Sequence, residues 1–116
     1  LSFALKIGLI GCGRAAELIY LPALKRFPDI EITAVIDPIK ERRELFSEKF
    51  NKCFQHSSLD ENFISRIDAA IISSSPDTHI TLASTLLKNN KYVLVEKPLA
   101  LSMNGIKDLI KIESWF

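Results

Sequence analysis

Short apolar runs and helix-spaced amphipathic stretches alternate along the whole chain. Residues 5–10 (LKIGLI), 31–36 (EITAVI), 68–73 (DAAIIS) and 92–95 (YVLV) are each short enough for a strand, and turn-forming residues bound them. A weaker run at residues 52–55 predicts one more strand, third in chain order. Helices are expected from about Arg14, over residues 40–50, briefly over 59–65, over about 77–89, and after Ser102, which caps the last of them. Leu45, Phe46 and Phe50 form a thin apolar edge on the second of these helices. Ile80, Ala83, Leu86 and Leu87 line one face of the fourth, and Met103, Ile106, Leu109 and Ile110 are expected on the inner face of the last. Pro22 lacks an N–H and collides with the preceding turn, so the first helix is expected to break near residues 20–21. Pro22 then opens a second short turn that reaches Phe27.

The strands are apolar rather than alternating, and Val93, Leu94 and Val95 read as a strand buried on both faces. Such strands, separated by helices, predict a parallel sheet covered on both sides. Right-handed crossovers then favour an α/β doubly wound (Rossmann) sheet of order 3-2-1-4-5. No repeat, low-complexity tract or internal linker divides residues 1–116, which read as one domain.

Composition narrows the function classes. Fifteen Lys and Arg face fourteen Asp and Glu, so no electrostatic case exists for nucleic acid or a membrane surface. No apolar run approaches the roughly 18 residues that span a bilayer, and Lys6 makes the opening run a poor signal peptide. Cys12 and Cys53 have neither metal-like nor redox-like spacing; inert thiols, no metal and a cytoplasmic setting are expected. The chain starts at Leu1 and stops at residues 113–116 inside a helical pattern, so both ends read as cut.

All strands of a parallel sheet end on one edge, and ligands of such sheets bind outside that edge. Four loops are expected to meet there: residues 11–16, 37–38, 73–79 and 96–98. The first is G-x-G-x-x-A. Gly11 permits a tight turn, Gly13 lets the backbone approach a pyrophosphate, and Ala16 lets the helix lie close to the strand. Arg14 and Ala15 open that helix, whose free N–H groups attract anions.

Asp37, 21 residues after Ala16, ends the second strand where an acid accepts hydrogen bonds from ribose hydroxyls. Pro38 and Ile39 supply no cation for a 2′-phosphate, which favours NAD over NADP. Asp37 also suits a plain Asp-Pro turn. Ser74, Ser75 and Pro76 lie in the loop beside the glycine turn, with Ser75 or Asp77 as the cap of the next helix. His79, in that helix's first turn, reads as structural more readily than as chemical. Glu96-Lys97-Pro98 read alone is a surface ion pair before a turn.

Taken together, IGLIGCGRAAELIYLPAL, ITAVIDP and DAAIISSSPDTHITLASTLLKNNKYVLVEKPLAL resemble the Gfo/Idh/MocA oxidoreductases, in order and in spacing over almost the whole chain. The Pro-x-x-His loop followed by a strand ending in Glu-Lys-Pro is the specific part. The resemblance implies an NAD(P)-dependent dehydrogenase acting on sugars, cyclitols or their derivatives. It implies that Gly11 and Gly13 hold the pyrophosphate and Asp37 the adenosine ribose, and that Ser74 to Pro76 pass along the cofactor. His79 stands at the family's His position, Glu96 reaches the nicotinamide ribose, and Lys97 sits in the catalytic pocket. The Lys97–Pro98 bond is cis in some relatives. A cation beside the reacting oxygen stabilises developing negative charge and helps the proton leave.

The family's second α/β domain, which carries the substrate pocket and usually the oligomer interface, has no counterpart here. The last strand of the nucleotide domain is missing too. The fragment is therefore expected to be inactive alone and the complete protein to be a homo-oligomer. Two other readings fit parts of the pattern: a stand-alone dinucleotide-binding or sensing module, and a methyltransferase-like domain. The latter has no use for Lys97.

Overall fold

The computed structural model describes residues 4–112. Its five strands, β1 (Leu5–Ile10), β2 (Ile30–Ile36), β3 (Phe54–His56), β4 (Ala69–Ile72) and β5 (Tyr92–Val95), form one sheet of order β3-β2-β1-β4-β5. Every neighbouring pair is parallel. The expected doubly wound order is the observed one. The third strand begins later than the sequence pattern predicts, because Asn51 and Lys52 turn the chain with φ of 56° and 55°. A residue in that left-handed region cannot continue a strand.

Five helices, α1 (Leu21–Leu24), α2 (Lys40–Lys49), α3 (Glu61–Ile64), α4 (His79–Lys88) and α5 (Met103–Ile110), accompany the sheet. Alternate residues of one strand serve opposite faces. Ile10, Ile36 and Ile72 pack with Phe63, Ala83, Leu86 and Leu109 on one side. Leu9, Ile32, Val35 and Ile71 pack with Ala16, Leu21 and Phe46 on the other. Asp60 opens α3 by accepting a hydrogen bond from the Phe63 N–H, an ordinary N-cap.

Four expectations need correction. The first helix does not break at residues 20–21. Tyr20 and Leu21 keep right-handed helical angles, and the stretch Ala16–Tyr20 is π-helical, with the Leu21 N–H donating to the Ala16 carbonyl. The extra residue in that wide turn shifts the carbonyl that the Pro22 ring meets in a regular helix. Secondly, among the described residues β5 is covered on one face only. Val93 and Val95 join the core beside α4, whereas Tyr92 and Leu94 are 77% and 56% exposed.

Thirdly, α5 turns Leu109 into the core but leaves Met103 and Ile110 exposed, so only part of its apolar set is inner. Ser102 does cap it, through the Gly105 N–H. Finally, α4 starts at His79 after a 3-10 turn, Pro76–Thr78, and neither Ser75 nor Asp77 accepts a capping hydrogen bond from a backbone N–H. The helical pattern over residues 113–116 lies outside the described residues.

Candidate functional site

The four loops leave the sheet at one level. The Asp37 N–H donates to the His56 carbonyl (3.2 Å), Gly11 to Ile36 (2.8 Å), Ser73 to Ile10 (2.7 Å) and Glu96 to Ile72 (3.0 Å). In each case the first residue past one strand bonds the last residue of its neighbour. That arrangement places the glycine turn, Asp37, the serine loop and Glu96-Lys97-Pro98 on a common rim.

Gly11 has φ +99°, and a Cβ built there falls 2.6 Å from the Ser73 carbonyl carbon and the Ser74 nitrogen. Both the dihedral and the close approach of two strand ends demand glycine at this position. Gly13 differs, because a Cβ there meets nothing within 4 Å. Its bareness serves no internal packing and leaves open backbone where the rim faces outward. Arg14 and Ala15 follow, both exposed, at the start of the first helix.

Asp37 is buried, and its carboxylate braces the rim. Oδ2 accepts from the Cys12 N–H and Oδ1 from the Ile39 N–H, each at 2.8 Å. A carboxylate has about four lone-pair positions, so two backbone bonds leave it able to accept from ribose hydroxyls. It thereby joins the turn before α2 to the glycine loop, a role that spacing in the sequence does not display.

Two arginines on α2 complete the brace. Arg42 donates through Nε to the Cys12 carbonyl (2.7 Å) and through Nη2 to Glu17 Oε1 (2.9 Å). Arg43 Nη1 donates to the Asp37 and Pro38 carbonyls at 3.2 and 3.4 Å. A cation therefore does stand beside Asp37, although residues 38 and 39 supply none. The only sequence signal for it is a basic pair one helical turn into the following helix.

The Arg42 hydrogen bond holds the Glu17 carboxyl below its ordinary range. A carboxyl depressed in the folded state adds stability that is present above the ordinary glutamate range and lost as pH falls through the folded value. Replacing Arg42 with glutamine is therefore expected to flatten the acid limb of thermal stability as pH falls below the ordinary glutamate range. Melting curves across that range check it, and an unchanged limb would mean that the pair contributes nothing.

A crevice of about 460 Å³ opens along this rim, between Gly11, Gly13, Asp37, Ile39, Ser74 and Leu59. A groove of about 310 Å³ at the other end of β2, lined by Leu24, Phe27 and Phe50, holds none of the rim loops. The burial that hides Cys12 pushes its thiol up to about 12, and burial pushes Cys53 up to about 11, so both stay protonated thiols.

Beyond the crevice, the rim continues from β4 to β5. The Ser73 hydroxyl donates to Glu96 Oε2 at 3.0 Å. Ser74 shares a 2.8 Å hydroxyl contact with Thr78, while Ser75 and Pro76 are exposed. The Tyr20 phenol is raised by its own burial and then by the Glu96 carboxylate, so the π-helical stretch reaches the same end of the rim. Lys97 is exposed, and its ammonium has no hydrogen-bond or ion-pair partner among the described residues. The Glu96–Lys97 ion pair of the plainer reading is therefore not formed. The Lys97–Pro98 peptide is cis.

His79, read from the sequence as structural more readily than as chemical, lies between two loops of the rim. It is 1% exposed, with Nδ1 2.7 Å from the Pro98 carbonyl and Nε2 2.8 Å from the Ser74 carbonyl. Both ring nitrogens are occupied by the protein, so the ring acts on the rim through the two loops it touches.

Comparison with known proteins agrees with this geometry. The model of a family described as "Oxidoreductase family, NAD-binding Rossmann fold" matches residues 5–114. Myo-inositol 2-dehydrogenase of Thermotoga maritima is 30% identical over 111 residues, 92% of this chain and 32% of that protein. A dTDP-3,4-didehydro-2,6-dideoxy-alpha-D-glucose 3-reductase of Streptomyces antibioticus is also 30% identical over 111 residues, 93% of this chain and 33% of that protein. The crystal structure of KijD10, a 3-ketoreductase from Actinomadura kijaniata in complex with NADP and TDP-benzene, superposes with a TM-score of 0.81. It is 27% identical, over 94% of this chain and 34% of KijD10. The chain thus spans about a third of the length of the relatives it matches.

Proposed function

The chain belongs to the Gfo/Idh/MocA oxidoreductase family, and from that premise we propose that it is the dinucleotide-binding part of an enzyme that moves a hydride between a nicotinamide and a sugar-like alcohol or ketone. The observation that carries the reading is the common rim: four loops of different chemistry leave a parallel sheet at one level, and three of them line one crevice while Glu96-Lys97-Pro98 stands beyond it. Gly13 supplies bare backbone for a pyrophosphate, and Asp37 supplies a braced carboxylate for ribose hydroxyls.

A bound nicotinamide dinucleotide supplies the hydride acceptor or donor. The chain's own groups orient and handle the proton. Glu96, fixed by Ser73, lines the end of the rim nearest β5 and suits the second ribose. Lys97, exposed and unpaired among the described residues, has a free ammonium to place against the substrate oxygen. There it stabilises negative charge on that oxygen and holds or returns its proton. The myo-inositol and nucleotide-sugar enzymes among the relatives support a polyhydroxylated substrate.

We favour NAD over NADP, because the Asp37 carboxylate repels a 2′-phosphate at the crevice and the nearby Arg43 guanidinium is held on two carbonyls. The bound NADP in KijD10 makes this the point to test. Calorimetric titration is expected to give about tenfold tighter binding of NAD, a difference of roughly 1.4 kcal/mol. In Asp37→Ser both affinities fall, because the Cys12 and Ile39 N–H groups lose their acceptor, and the NAD preference disappears. Equal affinities in the unaltered protein would remove Asp37 from cofactor selection.

A further inference from the structure

The Ser74–His79–Pro98 bridge is chemically odd. Two carbonyl oxygens, which can only accept, face the two nitrogens of one buried imidazole at 2.8 and 2.7 Å. A neutral ring has one N–H and one lone pair. Either tautomer would satisfy one carbonyl and press a lone pair against the other at hydrogen-bond distance. Only the doubly protonated ring donates to both.

We propose that His79 is a positioning residue held as an imidazolium, a two-ended clasp that joins the serine loop after β4 to the Glu96-Lys97-Pro98 loop after β5. Its role in dinucleotide binding rests on the function proposed above; its charge state does not. The clasp sets the spacing of the rim between the crevice and Lys97, without itself touching a ligand.

Opposing effects have to be weighed. Burial disfavours a cation, and so does the start of α4, whose free N–H groups carry partial positive charge. Against them stand two carbonyl dipoles aimed at the ring, and charge-assisted bonds are about twice as strong as neutral ones. In a low-dielectric site the repulsive lone-pair contact is correspondingly costly.

The charged side chains on the elements packed around α4 are few. Asp77 lies on its own entry turn, Glu96 and Lys97 beyond β5, and Lys107 and Asp108 on α5, while Lys88 and Lys91 stand at the far end of α4. All are exposed except Lys91 and Glu96, which are half-buried, and Glu96 is already bonded to Ser73. Ser73 adjoins one carbonyl acceptor, and Glu96 stands two residues before the other. The Ser73–Glu96 bond is thus a second tie between the loops that His79 joins.

The chain has two histidines, so one variant assigns both in a nitrogen-15 spectrum. Near neutral pH both ring nitrogens of His79 are expected to resonate as protonated nitrogens, in contrast to the widely split pair of a neutral tautomer. A split pair overturns the proposal. His79→Gln keeps a donor at one end only, and dinucleotide affinity is expected to drop about tenfold while the variant still melts cooperatively. Unchanged affinity in a folded variant also overturns it. Should the unaltered protein bind no dinucleotide, the proposed function fails, and the nitrogen spectrum alone still decides the clasp.

Discussion

Replacing Lys97 with alanine in the full-length protein is expected to lower turnover by about 10²- to 10⁴-fold, the range typical of a positioned proton-transfer group. That corresponds to roughly 3–5 kcal/mol of barrier. Dinucleotide affinity should stay close to that of the unaltered protein, because the ammonium has no protein partner among the described residues and does not line the crevice. The split matters: a loss confined to turnover identifies an interaction made in the transition state, and a loss confined to the Michaelis constant identifies uniform binding. The measurement follows reduced-nicotinamide absorbance with a panel of polyols and nucleotide sugars, alongside calorimetry for the cofactor. Normal turnover in the variant would return Glu96-Lys97-Pro98 to the status of a turn, and a non-catalytic binding module would become the better reading.

Gly11→Ala is expected to be the most damaging single-methyl change on the rim. An L-residue at positive φ costs about 1–2 kcal/mol, and forcing a methyl into packed backbone costs about 1–3 kcal/mol more. The atoms it meets, the Ser73 carbonyl and the Ser74 amide, belong to the next strand's exit and have no rotamer by which to retreat. A fall in melting temperature of about 10 °C or more follows, together with loss of dinucleotide binding, since the loop displaced is the rim itself. Gly13→Ala is the control, because its added methyl meets no protein atom. It should leave melting nearly unchanged and weaken only cofactor binding. Equal melting losses in the two variants would mean that Gly11 does not lie against the Ser73–Ser74 backbone.

Much of this architecture is legible in the residues. Unbroken apolar runs such as Ala70-Ile71-Ile72, placed between helices, admit little besides a parallel sheet, and parallel strands oblige their exits to share an edge. The Gly-x-Gly turn and the acid after the second strand are local signals, readable because each acts within its own few residues. Pro22 shows where local reasoning ends. It forbids a regular helix, but whether the chain breaks or widens into a π-helical turn depends on Ala16 and Leu21 both packing against β1 and β2. Leu94 is similar. Its hydrophobicity marks it for burial, but only the positions of the helices show that the side of β5 it faces has no cover among the described residues.

The partners of the rim were not legible. Asp37 reads as a ribose acceptor or a turn residue, and it is also the acceptor for Cys12, 25 residues away. His79 reads as a helix-start histidine, and it joins loops that β5 brings together. Arg42 reads as surface charge, and it holds a carbonyl of the glycine turn.

By itself, then, the order of residues determined the sheet order and which segments reach the binding edge, because those follow from periodicity and chain direction, while the family is carried by the motifs those segments bear. Tertiary packing alone decided which polar groups are already occupied and which stand free. A hydrogen bond is settled by distances of a few tenths of an ångström between distant segments, and no spacing along a chain encodes those.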